Sequence, residues 1–179
     1  MSDEVKRIDR RLAYKGAILE LYDDTMQFAN GNIAHWDLIM HKGAAAVVAV
    51  SDDGRLLMVR QYRNALERET LELPAGAKDT IDEPTAVCAA RELEEETGYK
   101  AGKLELLISI YTTVAFCNEK IDIYLASELK PSVQHLDENE YLNVETWELD
   151  DLVSMIYDGK LQDSKTVAAI LAYKNKVGR

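Results

Sequence analysis

The chain has 179 residues, of which 47% are hydrophobic and 30% charged; this mix suits one globular domain with a real core and is too apolar for a disordered chain. The formal net charge of −11 disfavours a general grip on nucleic acid or anionic membrane, which need a field of the opposite sign, so an anionic ligand would need a metal or a few placed arginines. No apolar run approaches the roughly 18 to 20 residues of a membrane span, and the opening MSDEVKRIDRR has no apolar signal core, which makes the cytoplasm the expected compartment.

Taken in chain order, residues 16–41 form two mostly alternating segments joined at Asn30-Gly31. That dipeptide is the strongest short hairpin signal, since both central residues of a type I′ turn need positive φ. The run AAAVVAV at 44–50 reads as a buried strand, followed by a turn at Ser51 to Gly54 and a second strand in RLLMVRQYR. LELPAGAKDTIDEPT, with Pro74, Gly76 and Pro84, reads as a loop. A helical pattern then runs from about Thr85 to Gly98, a fitting C′ glycine. Strands are expected at 104–111, 121–126 and 144–149, with a loop of about nine residues between the first two. Two helices close the chain, at about 150–157 and 165–176, the latter capped by Asp163 or Ser164. There is no internal repeat or linker, and the expected class is a single α+β domain. Cys88 and Cys117 lack metal or redox spacing and read as reduced thiols in packing positions, and His35, His41 and His135 are scattered.

The helix AARELEEETG crowds Glu92, Glu94, Glu95 and Glu96 together. At about 100° per residue with Glu92 at 0°, Glu96 falls near 40° and Glu95 near 300°, so three carboxylates share one face. Glu94, near 200°, reads as a solvated bystander, and Ala86, Ala90, Leu93 and Thr97, between about 100° and 160°, read as the packing stripe. Like charges three and four apart, close to the negative end of the macrodipole, are unfavourable for the helix alone. Arg91, counterions or a bound cation must offset them, and an all-oxygen cluster suits Mg²⁺ or Mn²⁺. Taken alone, an acidic helix face is more often simply solvated.

The surrounding spacing changes that weighting. GAKDTIDEPTAVCAARELEEETGY resembles the signature of the Nudix hydrolases: Arg91, Glu92, Leu93, Glu95, Glu96 and Gly98 match by type, Glu83 lies eight residues before Arg91, and Tyr99 takes a normally aliphatic position. Six residues separate Gly76 from Glu83 where the family usually has five, so either the loop carries an extra residue or Ala77 takes the glycine's place. The resemblance implies a Nudix-type α/β/α sandwich with a mixed sheet, preceded by an N-terminal antiparallel strand pair. It also implies hydrolysis of a nucleoside diphosphate linked to another group. By the same resemblance Glu92, Glu96 and Glu95 are metal ligands, Arg91 orients them, and Glu83 supports the loop or helix.

Outside the box, VRQYR and ETLELPAG are similar to the ADP-ribose pyrophosphatase branch of that family. That similarity maps Arg63 to a phosphate contact, Ala75 to a carbonyl metal ligand and Glu72 to a polar contact in the site. The acidic stretch DENE maps Glu138 to the general base and Glu140 to a further metal ligand. Val114 and Ala115 stand where the branch usually has proline and glycine, which weakens the inference to a particular substrate, and Glu119 in the same loop is open between substrate contact and solvation. Trp36 is open between stacking on a base and packing in a core or subunit interface. The resemblance further implies a homodimer, with residues 1–42 as a dimerisation and base-contact region and 43–179 as the hydrolase domain of a single structural unit. The expected reaction is Mg²⁺-dependent (or Mn²⁺-dependent) cleavage of ADP-ribose to AMP and ribose 5-phosphate. The alternatives are an NDP-sugar pyrophosphatase, a non-catalytic ADP-ribose-binding regulator, and a binding protein whose acidic helix is only surface.

Overall fold

The computed structural model describes residues 4–17, 19–136, 138 and 141–178. Three strands open the chain, β1 (Val5–Lys15), β2 (Glu20–Phe28) and β3 (Ile33–Met40), paired antiparallel in the order β1-β2-β3. The β2–β3 hairpin is the one expected at Asn30-Gly31, but its turn differs from type I′. Only Gly31 has positive φ, at 86°, and its N–H donates to the carbonyl of Phe28 while the Asn30 side chain accepts from the Asn32 amide. This is a turn with a glycine bulge, which asks for one left-handed residue and not two. β1 was not foreseen, because its charged sequence hides the alternation: Arg10 forms a two-pronged pair with Asp24 across the ladder, its Nε and Nη2 each 2.6 Å from a carboxylate oxygen.

The chain then builds a seven-stranded mixed sheet from β4 (Ala44–Val50), β5 (Leu56–Arg63), β6 (Arg68–Glu72), β7 (Ala75–Ala77), β9 (Lys103–Tyr111), β10 (Lys120–Ser127) and β12 (Leu142–Trp147). A 3-10 turn at Asn64–Leu66 joins β5 to β6, and the short strands β8 (Tyr99–Lys100) and β11 (Lys130–Pro131) pair with each other. The main path runs β12-β5-β4-β10-β9, with β4 and β10 parallel and the other neighbours antiparallel. The helices are α1 (Thr85–Thr97), α2 (Leu149–Tyr157) and α3 (Ser164–Val177). The last is capped by Asp163, whose carboxylate accepts from the Thr166 amide and hydroxyl.

β4 explains the layering. Its small and branched residues are buried on both faces: Ala45, Val47 and Ala49 pack with Cys88, Ala89 and Leu93 of α1, while Ala46 and Val48 pack with Leu152 of α2 and with Ala169 and Ile170 of α3. A strand covered on both sides reads as a continuous apolar run, which is what 44–50 shows. The result is the α/β/α sandwich expected from the family resemblance.

The helix wheel, however, is rotated from its expected setting. Ala86 and Ala90 are exposed, and the buried side is Cys88, Ala89, Leu93, Glu96 and Thr97. The alanines of β4 leave room for the Cys88–Ala89 side of the helix, so the packing stripe runs beside Glu96 instead of opposite it. Glu94 is also not a bystander: its Oε1 accepts from Ser132 Oγ at 2.6 Å and lies 3.0 Å from Lys100 Nζ.

The loop expected at residues 71–85 contains order that its sequence conceals. β6 pairs with β5 through Glu72, and β7 pairs with β4 from Ala75 onward. β4 and β5 pair directly only at 49–50 with 56–57. The chain from Glu72 to Ala77 therefore crosses the gap where the two strands part, held midway by the Val47 amide donating to the Pro74 carbonyl. Proline and glycine look like loop residues, yet here they carry a crossing between strand edges.

α1 ends at Gly98, in the left-handed region at φ 70°, its N–H bonded to the Glu94 carbonyl; a Cβ there would lie 3.2 Å from the Gln134 backbone nitrogen. Gly98→Ala should destabilise the fold by about 1 to 2 kcal/mol, read as a lower urea midpoint with unchanged slope.

Candidate active site

The crossing segment meets the C-terminal half of α1, and the candidate box residues converge there. Glu96, only 2% exposed, accepts from the Ala75 amide through Oε2 at 2.9 Å. Gly76 lies against Glu92 so closely that a Cβ on it would fall 2.1 Å from the Glu92 Cδ. A side chain there would displace the Glu92 carboxylate, which favours Gly76 over Ala77 as the box glycine.

Arg91 organises the carboxylates. Nη1 donates to Glu92 Oε1 at 2.6 Å and to Glu95 Oε2 at 3.0 Å, Nε donates to Glu83 Oε1 at 3.4 Å, and Nη2 donates to the Ala77 carbonyl at 3.1 Å. Burial disfavours its charge, but Glu92, followed by Glu83 and Glu95, holds its pKa far above the ordinary value. Glu83 in turn accepts from the Asp79 amide at 2.6 Å. Beneath them Cys88, fully buried, offers its Sγ to the Gly76 carbonyl at 3.6 Å and lies 3.5 Å from Arg91 Nη2. Burial, then the charge of Glu92, pushes this thiol up to about 11.

Among the described residues, no three His, Cys, Asp or Glu side chains stand at distances that could hold a metal ion. The hydrogen bonds give the reason: Glu92 and Glu95 each turn an oxygen to Arg91, and Glu96 turns one to Ala75. The donor chemistry nevertheless fits a hard divalent cation, since three carboxylates gather beside a backbone stretch whose missing Cβ at Gly76 admits Glu92.

A cleft of about 440 Å³ opens beside this cluster, with Arg63, Ala75, Gly76, Glu119, His41 and Lys165 on its walls. Arg63 donates from Nε and Nη2 to the two oxygens of Glu72, each at 2.7 Å, and Lys165 Nζ lies 2.5 Å from Glu72 Oε2. Burial alone would raise the Glu72 carboxyl, but the hydrogen bonds from Arg63 and the charge of Lys165 hold it at about 2. Glu119 accepts from the Thr112 hydroxyl at 2.8 Å. His41 Nδ1 accepts from the Gly43 amide at 3.1 Å, so its 3.5 Å approach to Glu119 is not a hydrogen bond of the neutral ring.

The structure thus brings Arg91, Glu92, Glu95, Glu96 and Ala75 together and sets Arg63 and Glu119 on the adjoining cleft. Glu72 stands behind Arg63 on the wall of a neighbouring cavity, so it anchors Arg63 rather than facing the cleft. Trp36 is off the cleft of its own chain: it is 48% exposed on β3 and meets Phe28 edge-on, ring centres 6.1 Å apart. Val114, 81% exposed, is not on the wall of the cleft, which in that loop is formed by Thr112 and Thr113. Glu138 is an exposed turn residue, and Glu140 lies outside the described residues. The chain leading to Glu138 is tied to α1, with the His135 amide donating to the Glu95 carbonyl at 3.0 Å and Gln134 Nε2 donating to the Glu96 carbonyl at 2.6 Å. Sequence reasoning missed Lys165 and His41. Lys165 had a signal only in its place beside the Asp163 cap, and His41 had none beyond being a histidine just after β3.

Comparison with known proteins gives the family and the fold. Residues 40–170 match the NUDIX domain model. The chain is 37% identical over 169 residues to the ADP-ribose pyrophosphatase of Bacillus subtilis (strain 168), covering 93% of this chain and 91% of that one. It is likewise 37% identical over 169 residues, with the same coverage, to the methanol dehydrogenase activator of Bacillus methanolicus. A crystal structure of an ADP compounds hydrolase superposes with a TM-score of 0.85 at 22% identity, covering 98% of this chain and 95% of that one, which is a likeness of fold. The chain belongs to the NUDIX domain family. Within that family it is a hydrolase.

Gly76→Ala should push the Glu92 carboxylate out of place and lower hydrolysis by about 100-fold or more, with a circular dichroism spectrum like that of the wild type. Glu72, whose folded pKa of about 2 lies below its ordinary 4.5, contributes stability that is complete above pH 4.5 and is lost as the pH falls towards 2. That contribution is of order 3 kcal/mol, so acid unfolding of Glu72→Gln should show a flatter pH dependence across that window than the wild type.

Proposed function

We propose that the protein hydrolyses ADP-ribose to AMP and ribose 5-phosphate with Mg²⁺, or Mn²⁺, as its cation. The observation that carries this reading is the Arg91-organised carboxylate set meeting, at Ala75 and Gly76, the wall of the cleft that holds Arg63, in a chain whose relatives include an ADP-ribose pyrophosphatase. A cation held by Glu92, Glu95, Glu96 and the Ala75 carbonyl would neutralise the diphosphate and make bound water a better nucleophile.

The chain's own residues do the rest. Arg63 binds a phosphate through its planar fork, Arg91 holds the carboxylates in register, and Glu119 with Thr112 and His41 lines the far wall for the sugar. Water adds to one phosphorus and the bridging oxygen leaves with the other, so the two products each keep one phosphate. Glu138 is the proposed base that takes the water's proton, carried on a chain tied to the end of α1, with Glu140 as a further ligand. In this reading residues 1–42 pair with a second subunit and carry Trp36 to the base of its substrate; the exposed Ile8, Leu12, Tyr14 and Ile33 on that sheet support such a homodimer. The working compartment is the cytoplasm.

A second reading keeps the chemistry and changes the sugar. Val114 and Ala115 replace the proline and glycine of the resembled branch, which favours testing NDP-hexoses alongside ADP-ribose.

The expected outcome is Mg²⁺-dependent release of AMP from ADP-ribose, abolished by EDTA and by Glu96→Gln, which keeps an acceptor for the Ala75 amide. Chromatography of products from ADP-ribose, ADP-glucose and GDP-mannose checks it. Turnover of a hexose compound equal to or above that of ADP-ribose would reverse the choice of substrate, and full activity in Glu96→Gln would remove the metal assignment.

A further inference from the structure

Lys165 has no part in the proposed chemistry, yet among the described residues it is the one buried Lys or Arg. It is the second residue of α3, 9% exposed, with Nζ 2.5 Å from Glu72 Oε2 and 2.9 Å from Asp163 Oδ2. Glu72 is itself 2% exposed and also receives two hydrogen bonds from Arg63 and one from the Thr70 hydroxyl, the latter at 2.6 Å. One buried carboxylate therefore carries two cations.

The arrangement exceeds what stability asks for. A buried carboxylate needs a cationic partner to stay ionised, and removing its only partner is strongly unfavourable. With two partners, one can leave at much lower cost. The two are unequal in this respect: the side chain of Arg63 is 43% exposed and that of Lys165 is 11% exposed. Arg63 also shares the cleft wall with Ala75 and Gly76, where the box glutamates meet the crossing segment.

We propose that Lys165 is a positioning residue that frees Arg63 for the substrate: when Arg63 turns to a phosphate of the bound diphosphate, Lys165 stays on Glu72 and keeps that buried carboxylate paired. This rests on the reading that a nucleoside diphosphate compound occupies the cleft. Without Lys165, Arg63 serves either Glu72 or the phosphate, and the competition appears as weakened binding. A neutral side chain at 72 removes the competition, because nothing charged is left behind when Arg63 turns away.

The test is steady-state kinetics on ADP-ribose with Mg²⁺ for the wild type, Lys165→Met, Lys165→Arg and the double variant Lys165→Met/Glu72→Gln. Lys165→Met keeps the Arg63–Glu72 pair and should fold, with a melting temperature near that of the wild type. Its KM should rise by about 100-fold or more, the scale set by leaving a buried charge unpaired, while kcat changes by less than about threefold. Lys165→Arg should stay close to wild type, and the double variant should bring KM back down from the Lys165→Met value. An unchanged KM in Lys165→Met overturns the proposal, as does a double variant as weak as or weaker than Lys165→Met, the result expected if Lys165 touched the phosphate directly or served only the fold. A wild type that does not hydrolyse ADP-ribose would sink the functional reading instead. The inference is then decided by calorimetric affinities of the same four proteins for inorganic pyrophosphate, expected in the same order and overturned by any other.

Discussion

Of the hydrogen bonds that join the two halves of the site, the central one is the Ala75 amide donating to the buried carboxylate of Glu96. It fixes the height of the crossing segment against α1, and the other close contacts depend on that height. Glu92 rests its carboxylate where a Cβ on Gly76 would lie, Arg91 reaches back to the Ala77 carbonyl, and Cys88 sits under the Gly76 carbonyl. The segment can be there because β4 and β5 part beyond residues 49–50 and 56–57, so that β6 and β7 take up edges that would otherwise pair with each other. The helix can be there because β4 presents alanines to it. Packing small residues brings a helix and a sheet close, and that closeness delivers charged groups to one another.

The same economy of contact governs charge. A chain of net −11 has no general field to attract an anion, and the site depends on a few cations held by buried or half-buried acids. Arg91 is held by Glu83, Glu92 and Glu95; Arg63 and Lys165 are held by Glu72. In each group the acid orients the base as much as the base neutralises the acid. Such networks have high stakes, since a partly satisfied one costs more than none.

Much of this was legible in the sequence because it depends on spacing. The run at 44–50, the stop at Gly98 and the register of Arg91 with Glu92, Glu95 and Glu96 are local patterns, and each appears where its pattern places it. The parts that were not legible depend on tertiary contact. β1 hides its pairing in charged residues that find partners only across the ladder, and ELPAGA looks like a loop because its strand character comes from two different neighbours. The helix wheel could give the mutual angles of the glutamates, but the rotation of the helix against β4 was decided by alanines some forty residues away in sequence. Lys165 was invisible for the same reason: its partner Glu72 is 93 residues distant in the chain.

Cys88 gives the site a built-in reporter. Its thiol is fully buried between α1 and β4, under the Gly76 carbonyl and beside Arg91. A thiol reagent needs an exposed sulfur, so it can reach Cys88 only when the helix lifts from the strand, and in lifting the helix takes Glu92, Glu95 and Glu96 with it. The rate at which Cys88 is labelled in the native protein is therefore a clock for the opening of the carboxylate cluster itself, separable from global unfolding by its dependence on denaturant.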